Sequence, residues 1–222
     1  MDNFLLDAFF KGGPMMWPLL VCWLIALGVI LERLWCLFRV PDEGQSEMEL
    51  NEAESVLRNQ GEEALVEHLK QGGGVLNFVF AAVLKRYYTL VLESRTDIED
   101  MRQELILTTD EAGVDYLGRL LNALGTIGAL APLMGLLGTI LGMIRAFDAI
   151  ARAGAGDPAA VASGISEALI TTATGLIVAI PTIAFHRYLS GRADKVFKSV
   201  ELYLHAFSNT LLVRFQNAKQ QQ

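Results

Sequence analysis

Glu167 is the residue in this chain best placed for ionic chemistry. It precedes ALITTATGLIVAIPTIAF, 18 residues without a formal charge that end at His186. A carboxylate in the first turn of a helix is favoured by the helix dipole, and an ionisable group at a membrane is by default a functional candidate. Residue type alone leaves both readings open. Within the stretch, Thr172, Gly175 and Ala179 share a helical face with Ala168, while Thr171 and Thr174 lie on an adjoining one. Upstream, LLNALGTIGALAPLMGLLGTILGMI is charge-free over 25 residues between Arg119 and Arg145, and Gly128, Ala131, Gly135, Gly138, Thr139 and Gly142 fall largely on one of its faces. Small residues let helix backbones approach closely, and a threonine hydroxyl in a span usually bonds back to its own helix. The same faces line a water-filled path when several copies surround an axis. No second acid stands inside these stretches, so a proton relay would need its central titratable group from a partner.

The elements that carry these residues are long enough to cross a bilayer core of about 30 Å. A third apolar run, Gly12 to Leu31, is charge-free over 20 residues between Lys11 and Glu32. Its start holds Asp2 and Asp7 and no A-x-A site follows, which describes an uncleaved span and not a signal peptide. Trp17, Trp23 and Trp35 suit interfacial belts, and Asn3 to Phe10 reads as an amphipathic surface helix. Mean hydropathy of +0.36 with 19% charged residues describes a protein of some spans and a sizeable aqueous part. A formal charge of −7 with scattered basic residues gives no nucleic-acid face. Cys22 and Cys36 have no CxxC or His-rich company, so neither a disulfide nor a metal is expected there.

Between the first and second spans the chain reads as aqueous helices. Pro41 to Ser46 is a polar break; Glu47 to Gln71 carries Leu50, Ala53, Val56 and Leu57 at helical steps, and three glycines, 72–74, then end it. The next helix, Leu76 to Leu92, is apolar through Phe78, Val79, Ala82 and Val83. Met101, Leu105, Thr108, Ala112 and Tyr116 form the predicted buried stripe of the segment Asp97 to Arg119, which is expected to run on into the second span as one helix. After the third span, Leu189, Ala193, Val196, Val200, Tyr203, Phe207 and Leu211 repeat at alternating steps of four and three, a heptad seam. A helix from Ala168 to Phe215 would cover 48 residues, roughly 72 Å.

The expected fold is therefore all-α: an integral membrane protein with three transmembrane helices, the second and third extended into a cytoplasmic helical bundle. Its predicted segments are an outer N-terminus (1–11), span 1 (12–38), a cytoplasmic insert (39–119), span 2 (120–146), an outer loop (147–166), span 3 (167–187) and a cytoplasmic tail (188–222). The block from residue 33 to 119 and the chain after residue 185 hold 15 of the 18 Lys and Arg, against Lys11, Arg145 and Arg152 on the other side. By the positive-inside rule they face the cytoplasm and the N-terminus faces out. No HExxH, nucleophile elbow or in-span Ser/His constellation appears, so an enzyme is not expected and no cofactor is implied.

APLMGLLGTILGMIRAF in the second span and GISEALITTATGLIVAIPTIAFHRYL in the third, with 28 residues from Thr139 to Glu167, resemble the MotA/TolQ/ExbB proton channel proteins, most closely the ExbB/TolQ branch. The resemblance implies a bacterial inner-membrane homopentamer. Its second and third spans would line a pore holding the single helices of two ExbD/TolR-like subunits, which carry the missing Asp. Proton flow would then energise an envelope protein such as TonB or TolA. On this resemblance Thr139 and Thr172 are pore-lining, Glu167 is the glutamate opening the third span, and Gly128, Gly135, Gly138, Gly142, Gly175 and Ala179 pack helices within the ring. Two other readings are a passive membrane scaffold, for which the small-residue faces suffice, and a stator of a gliding or secretion machine.

Overall fold

The computed structural model describes residues 9–38, 43–93, 97–153 and 158–220. Every element in it is an α-helix: α1 (Met16–Phe38), α2 (Glu43–Asn59), α3 (Glu62–Gln71), α4 (Val75–Leu92), α5 (Ile98–Gly118), α6 (Leu121–Ala153) and α7 (Pro158–Gln220). The chain forms two compact units, one of residues 1–34 and 120–189, the other of residues 35–119 and 190–222. Among the described residues four helices are long and apolar enough to cross a membrane, in the stretches Met16–Leu37, Val75–Leu92, Leu121–Ala151 and Val161–Asn217, one more than the sequence reading expects. The chain is a multi-pass membrane protein.

The first unit is built on α6 and the first half of α7, with α1 against them. Leu19 of α1 packs with Ala131, Val178 and Ala179, and Met134 borders that core. Trp17 and Trp35 stand near the two ends of α1 and are exposed, while Trp23 lines a groove with Phe9, Met16, Thr174 and Ile177. Pro132 lies inside α6 and Pro181 inside α7; each lacks the N–H that would bond the carbonyl four residues back. The surface helix expected at Asn3 to Phe10 lies almost wholly outside the described residues.

The second unit is a helical bundle with an aromatic centre. Phe80 of α4 and Phe207 of α7 are fully buried and stack with ring centroids 4.3 Å apart, each burial stabilising by roughly 2–3 kcal/mol. Arg86 pairs with Glu104 at 2.8 Å, and Tyr88 donates to Glu62 at 2.6 Å. Arg214 donates to the Leu57 carbonyl at 2.8 Å, tying α7 to the end of α2.

Several expectations change. The single helix from Glu47 to Gln71 is two helices, divided at Gly61, whose φ of 87° is a left-handed conformation that a side chain would strain. The stripe on α5 is Met101, Leu105, Thr109, Gly113 and Leu117, all at steps of four, in place of Thr108, Ala112 and Tyr116. Its lower half turns because Gly113 receives the Phe197 ring directly over its Cα. α5 ends at Gly118 and α6 begins at Leu121, so the expected continuous helix is interrupted over two residues, although Arg119 itself keeps helical angles. The expected loop 147–166 is largely helix: α6 runs to Ala153 and α7 starts at Pro158, leaving 154–157 outside the described residues. Alanine-rich sequence propagates a helix well, and proline is tolerated in a first turn. α7 is consequently 63 residues long, not 48. On its seam Val196, Val200, Phe207 and Leu211 are buried as predicted, and Leu204 is buried where Tyr203 is only half-buried.

Candidate proton-path site

Two stripes of small residues face each other, antiparallel, along α6 and α7. A Cβ built on Gly142 would lie 2.8 Å from the Gly164 carbonyl oxygen and 2.9 Å from the Ala168 Cβ. One on Gly138 would meet the Thr171 side chain at 2.5 Å, and one on Gly135 the Thr171 oxygen at 3.0 Å and the Gly175 Cα at 3.3 Å. From the other side, a Cβ on Gly175 would reach the Ala131 oxygen at 2.7 Å. A Cβ on Gly128 would meet the Ile183 side chain at 2.7 Å, and one on Gly125 the His186 ring at 3.1 Å. The contact therefore runs about six turns, from Ala146 opposite Gly164 to Gly125 opposite His186. Each glycine is required because backbone, not a movable side-chain end, occupies the space a methyl would take at Gly135, Gly142 and Gly175. The partner of Gly128, Gly135, Gly138 and Gly142 is thus the chain's own α7. Sequence reasoning assigned these glycines to packing in a ring of subunits; within the chain they zip one helix pair. Ala179 belongs to the small core under Leu19.

Threonine hydroxyls divide into two kinds. Thr139 donates to the Leu136 carbonyl at 2.6 Å, Thr174 to Ile170 at 2.8 Å, and Thr182 to Val178 at 2.7 Å, all within their own helices. Thr171 bonds its own helix twice, at Ala168 and Glu167. Thr172 instead crosses the seam and donates to the Gly135 carbonyl at 3.3 Å. Only a missing side chain at Gly135 brings that carbonyl within reach. Thr139 and Thr172 are both half-buried, and the bond of Thr139 joins it to neither Thr172 nor Glu167.

At the other end of the seam Glu167 is ion-paired with Arg145 across α6 and α7. The Glu167 side chain is largely covered, with 16% of its surface exposed, while 46% of the Arg145 side chain is open. Part of that cover is Gly13, in the turn that leads into α1. Its φ of 68° is left-handed, and a Cβ there would overlap the Glu167 carboxylate and lie 3.2 Å from Arg145 Nη1. Sequence reading placed Arg145 as a flanking charge and missed both partners. The signal was present, since Arg145 directly follows the charge-free span that faces Glu167, but the pairing needs the antiparallel register.

A protein-family model described as the MotA/TolQ/ExbB proton channel family matches residues 73–202, more than half of the chain. The ExbB-like 1 biopolymer transport protein of Synechocystis sp. is 35% identical over 188 residues, covering 83% of this chain and 70% of that protein. The biopolymer transport protein exbB1 of Vibrio cholerae is 28% identical over 193 residues, covering 85% and 80%. The ExbB of Neisseria gonorrhoeae is 41% identical over 99 residues, covering 45% and 43%. The matched region contains the whole α6–α7 seam, Thr172, and the Arg145–Glu167 pair. With this family match and these relatives, a role in energising biopolymer transport is supported, and the chain belongs to the MotA/TolQ/ExbB proton channel family, in its ExbB-like branch.

Proposed function

We propose that the chain is a proton-channel subunit of an inner-membrane motor. Five copies surround a pore that holds two ExbD/TolR-like one-span partners, and proton flow energises a TonB- or TolA-like effector. The observation that carries this reading is Thr172, whose hydroxyl crosses to the Gly135 carbonyl in the middle of a glycine-zipped helix pair. It sets a fixed polar point in an otherwise apolar wall, where water can be held near a partner's carboxylate. Glu167 and Arg145 supply charge at the outer mouth, and Thr139 adds a second hydroxyl. Membrane orientation follows the basic residues, with the second unit and the C-terminus cytoplasmic and the N-terminus outside.

Three of the four apolar helices are assigned to the membrane. The most apolar window of α4 is 50% buried within the chain, against 22% to 33% for the other three. Its apolar side packs on α5 and α7, and Lys85 and Arg86 interrupt it, which suits an aqueous bundle. α1, α6 and the first part of α7 instead leave large apolar residues such as Leu24, Leu133 and Ile177 exposed, as lipid or neighbouring subunits require.

The test is native mass of the protein co-purified with an ExbD/TolR-like partner, followed by proton flux in vesicles. Five chains with two partners, and a flux lost in Thr172→Val while the assembly persists, are the expected results. Unchanged flux in Thr172→Val would reject the pore-lining role. A passive scaffold is the second reading, favoured by the hydroxyls of Thr139, Thr171 and Thr174 being satisfied within their own helices. It predicts assembly without any coupled flux.

A further inference from the structure

The second unit brings together three metal-ligating side chains that lie far apart in the chain. Asp110 projects from α5, and Glu201 and His205 stand four residues apart on one face of α7. His205 Nε2 lies 3.3 Å from Asp110 Oδ1. One ligand atom from each of the three residues lies within 4.8 Å of the others, and all three side chains are half-buried. A hydrogen-bonded His–Asp pair would account for two of them. Glu201 is placed by the same helix face to complete a triangle around a common point.

We infer that Asp110, Glu201 and His205 form a binding site for a divalent transition-metal ion of the zinc class, which clamps α5 to α7. Donor atoms about 2.0–2.2 Å from a tetrahedral ion are separated from one another by about 3.3 Å, which is the spacing His205 and Asp110 already have. Glu201 closes the remaining gap by a side-chain rotation, since its backbone is fixed. The two carboxylates offset the charge of a divalent ion, and the imidazole favours Zn²⁺ and its neighbours over the oxygen-seeking Mg²⁺ and Ca²⁺. Three protein ligands leave a fourth position for water.

Two contacts join α5 and α7 beside the triad. Thr109 directly precedes Asp110 and Ser208 follows His205 by three residues; their hydroxyls bond each other at 3.1 Å in a fully buried position, and Gly113 receives the Phe197 ring. These two contacts lock the spacing of α5 and α7 on either side of the ligands. A Glu and a His from one helix with a carboxylate from the facing one is how helical bundles assemble metal centres.

The experiment uses the full-length protein in detergent, stripped with EDTA and titrated calorimetrically with ZnCl₂, with thermal unfolding read in parallel. One Zn²⁺ per chain and a raised melting temperature are expected, with MgCl₂ at the same concentration leaving the melting temperature unchanged. His205→Gln, Asp110→Asn and Glu201→Gln should each weaken Zn²⁺ binding at least about tenfold, while His68→Gln should not. No Zn²⁺ binding by the wild type overturns the site, and so does binding that survives all three substitutions. Should His205→Gln fail to fold, the two carboxylate variants decide the question, because they keep the side-chain volumes.

Discussion

Glu167 and Arg145, 22 residues apart in the chain, meet as an ion pair where α6 and α7 face each other, and the backbone of Gly13 lies against both. The Glu167 side chain is largely covered, so removal of the guanidinium takes away a contact that little solvent is present to replace. Arg145→Gln should cut partner-dependent proton flux about tenfold, the equivalent of one charge-assisted hydrogen bond of roughly 1.5 kcal/mol. The exchanged pair Arg145→Glu with Glu167→Arg should recover part of it. Wild-type flux in Arg145→Gln would show that the pair has no part in conduction.

Glycines inside helices normally gain from alanine, because a methyl lowers the entropy lost on folding by about 1 kcal/mol. At Gly175 the sign reverses, since the added methyl would meet the Ala131 carbonyl at 2.7 Å. Gly175→Ala should lower stability in detergent by about 1–3 kcal/mol. Gly191→Ala, where a Cβ meets nothing within 4 Å, should leave it unchanged or raise it. Thermal unfolding of the two variants side by side measures the difference, and equal melting temperatures would contradict the zipper.

Thr109 and Ser208 each have a second acceptor in their own helix, at Leu105 and Leu204. Thr109→Val therefore removes one buried inter-helix bond without stranding the serine, and should cost about 1 kcal/mol. In the double variant with Ser208→Ala the two losses should sum to more than the measured total, because the shared bond is lost only once. Strict additivity would mean that the 3.1 Å contact carries no energy.

Glu49 of α2 is pushed above its ordinary value of 4.5, first by burial and then by the neighbouring charge of Glu52. The folded state thus holds this proton more tightly than the unfolded chain. Its charged form weakens the fold at neutral pH, and that penalty fades as the pH falls through the raised value towards 4.5. Glu49→Gln should raise the melting temperature at pH 7 and lose its advantage below that window. A gain of equal size at pH 7 and pH 4 would sink this account.

The helical architecture was legible because its signals are periodic: charge-free runs bounded by Arg119, Arg145 and Glu167, and small residues at steps of three and four. What approaches those small residues was not. A stripe such as Gly128, Ala131, Gly135 and Gly138 announces that a backbone comes close, but the same stripe serves a sister helix, a second subunit or a pore helix equally well. On α5 the failure had a different cause. Thr108 and Thr109 are identical by residue type, and Gly113 has no hydropathy to contribute; its place in the core follows from the Phe197 ring that lands on it. The break at Gly61 was hidden because one glycine in a charged helix is tolerated, and only its positive φ shows that the chain turns there.

Pro132 and Pro181 each remove one rung from the hydrogen-bond ladder of their helix, releasing the carbonyls of Gly128 and Ile177. Gly128 lies against Thr182 and Ile183, directly after Pro181. The weakened turns of the two helices are therefore neighbours, at one level of the zipper. Above and below them the backbones interlock at Gly135, Gly142 and Gly175, so the rungs missing from both ladders are gathered at the one level where a kink in either helix has an identifiable cause.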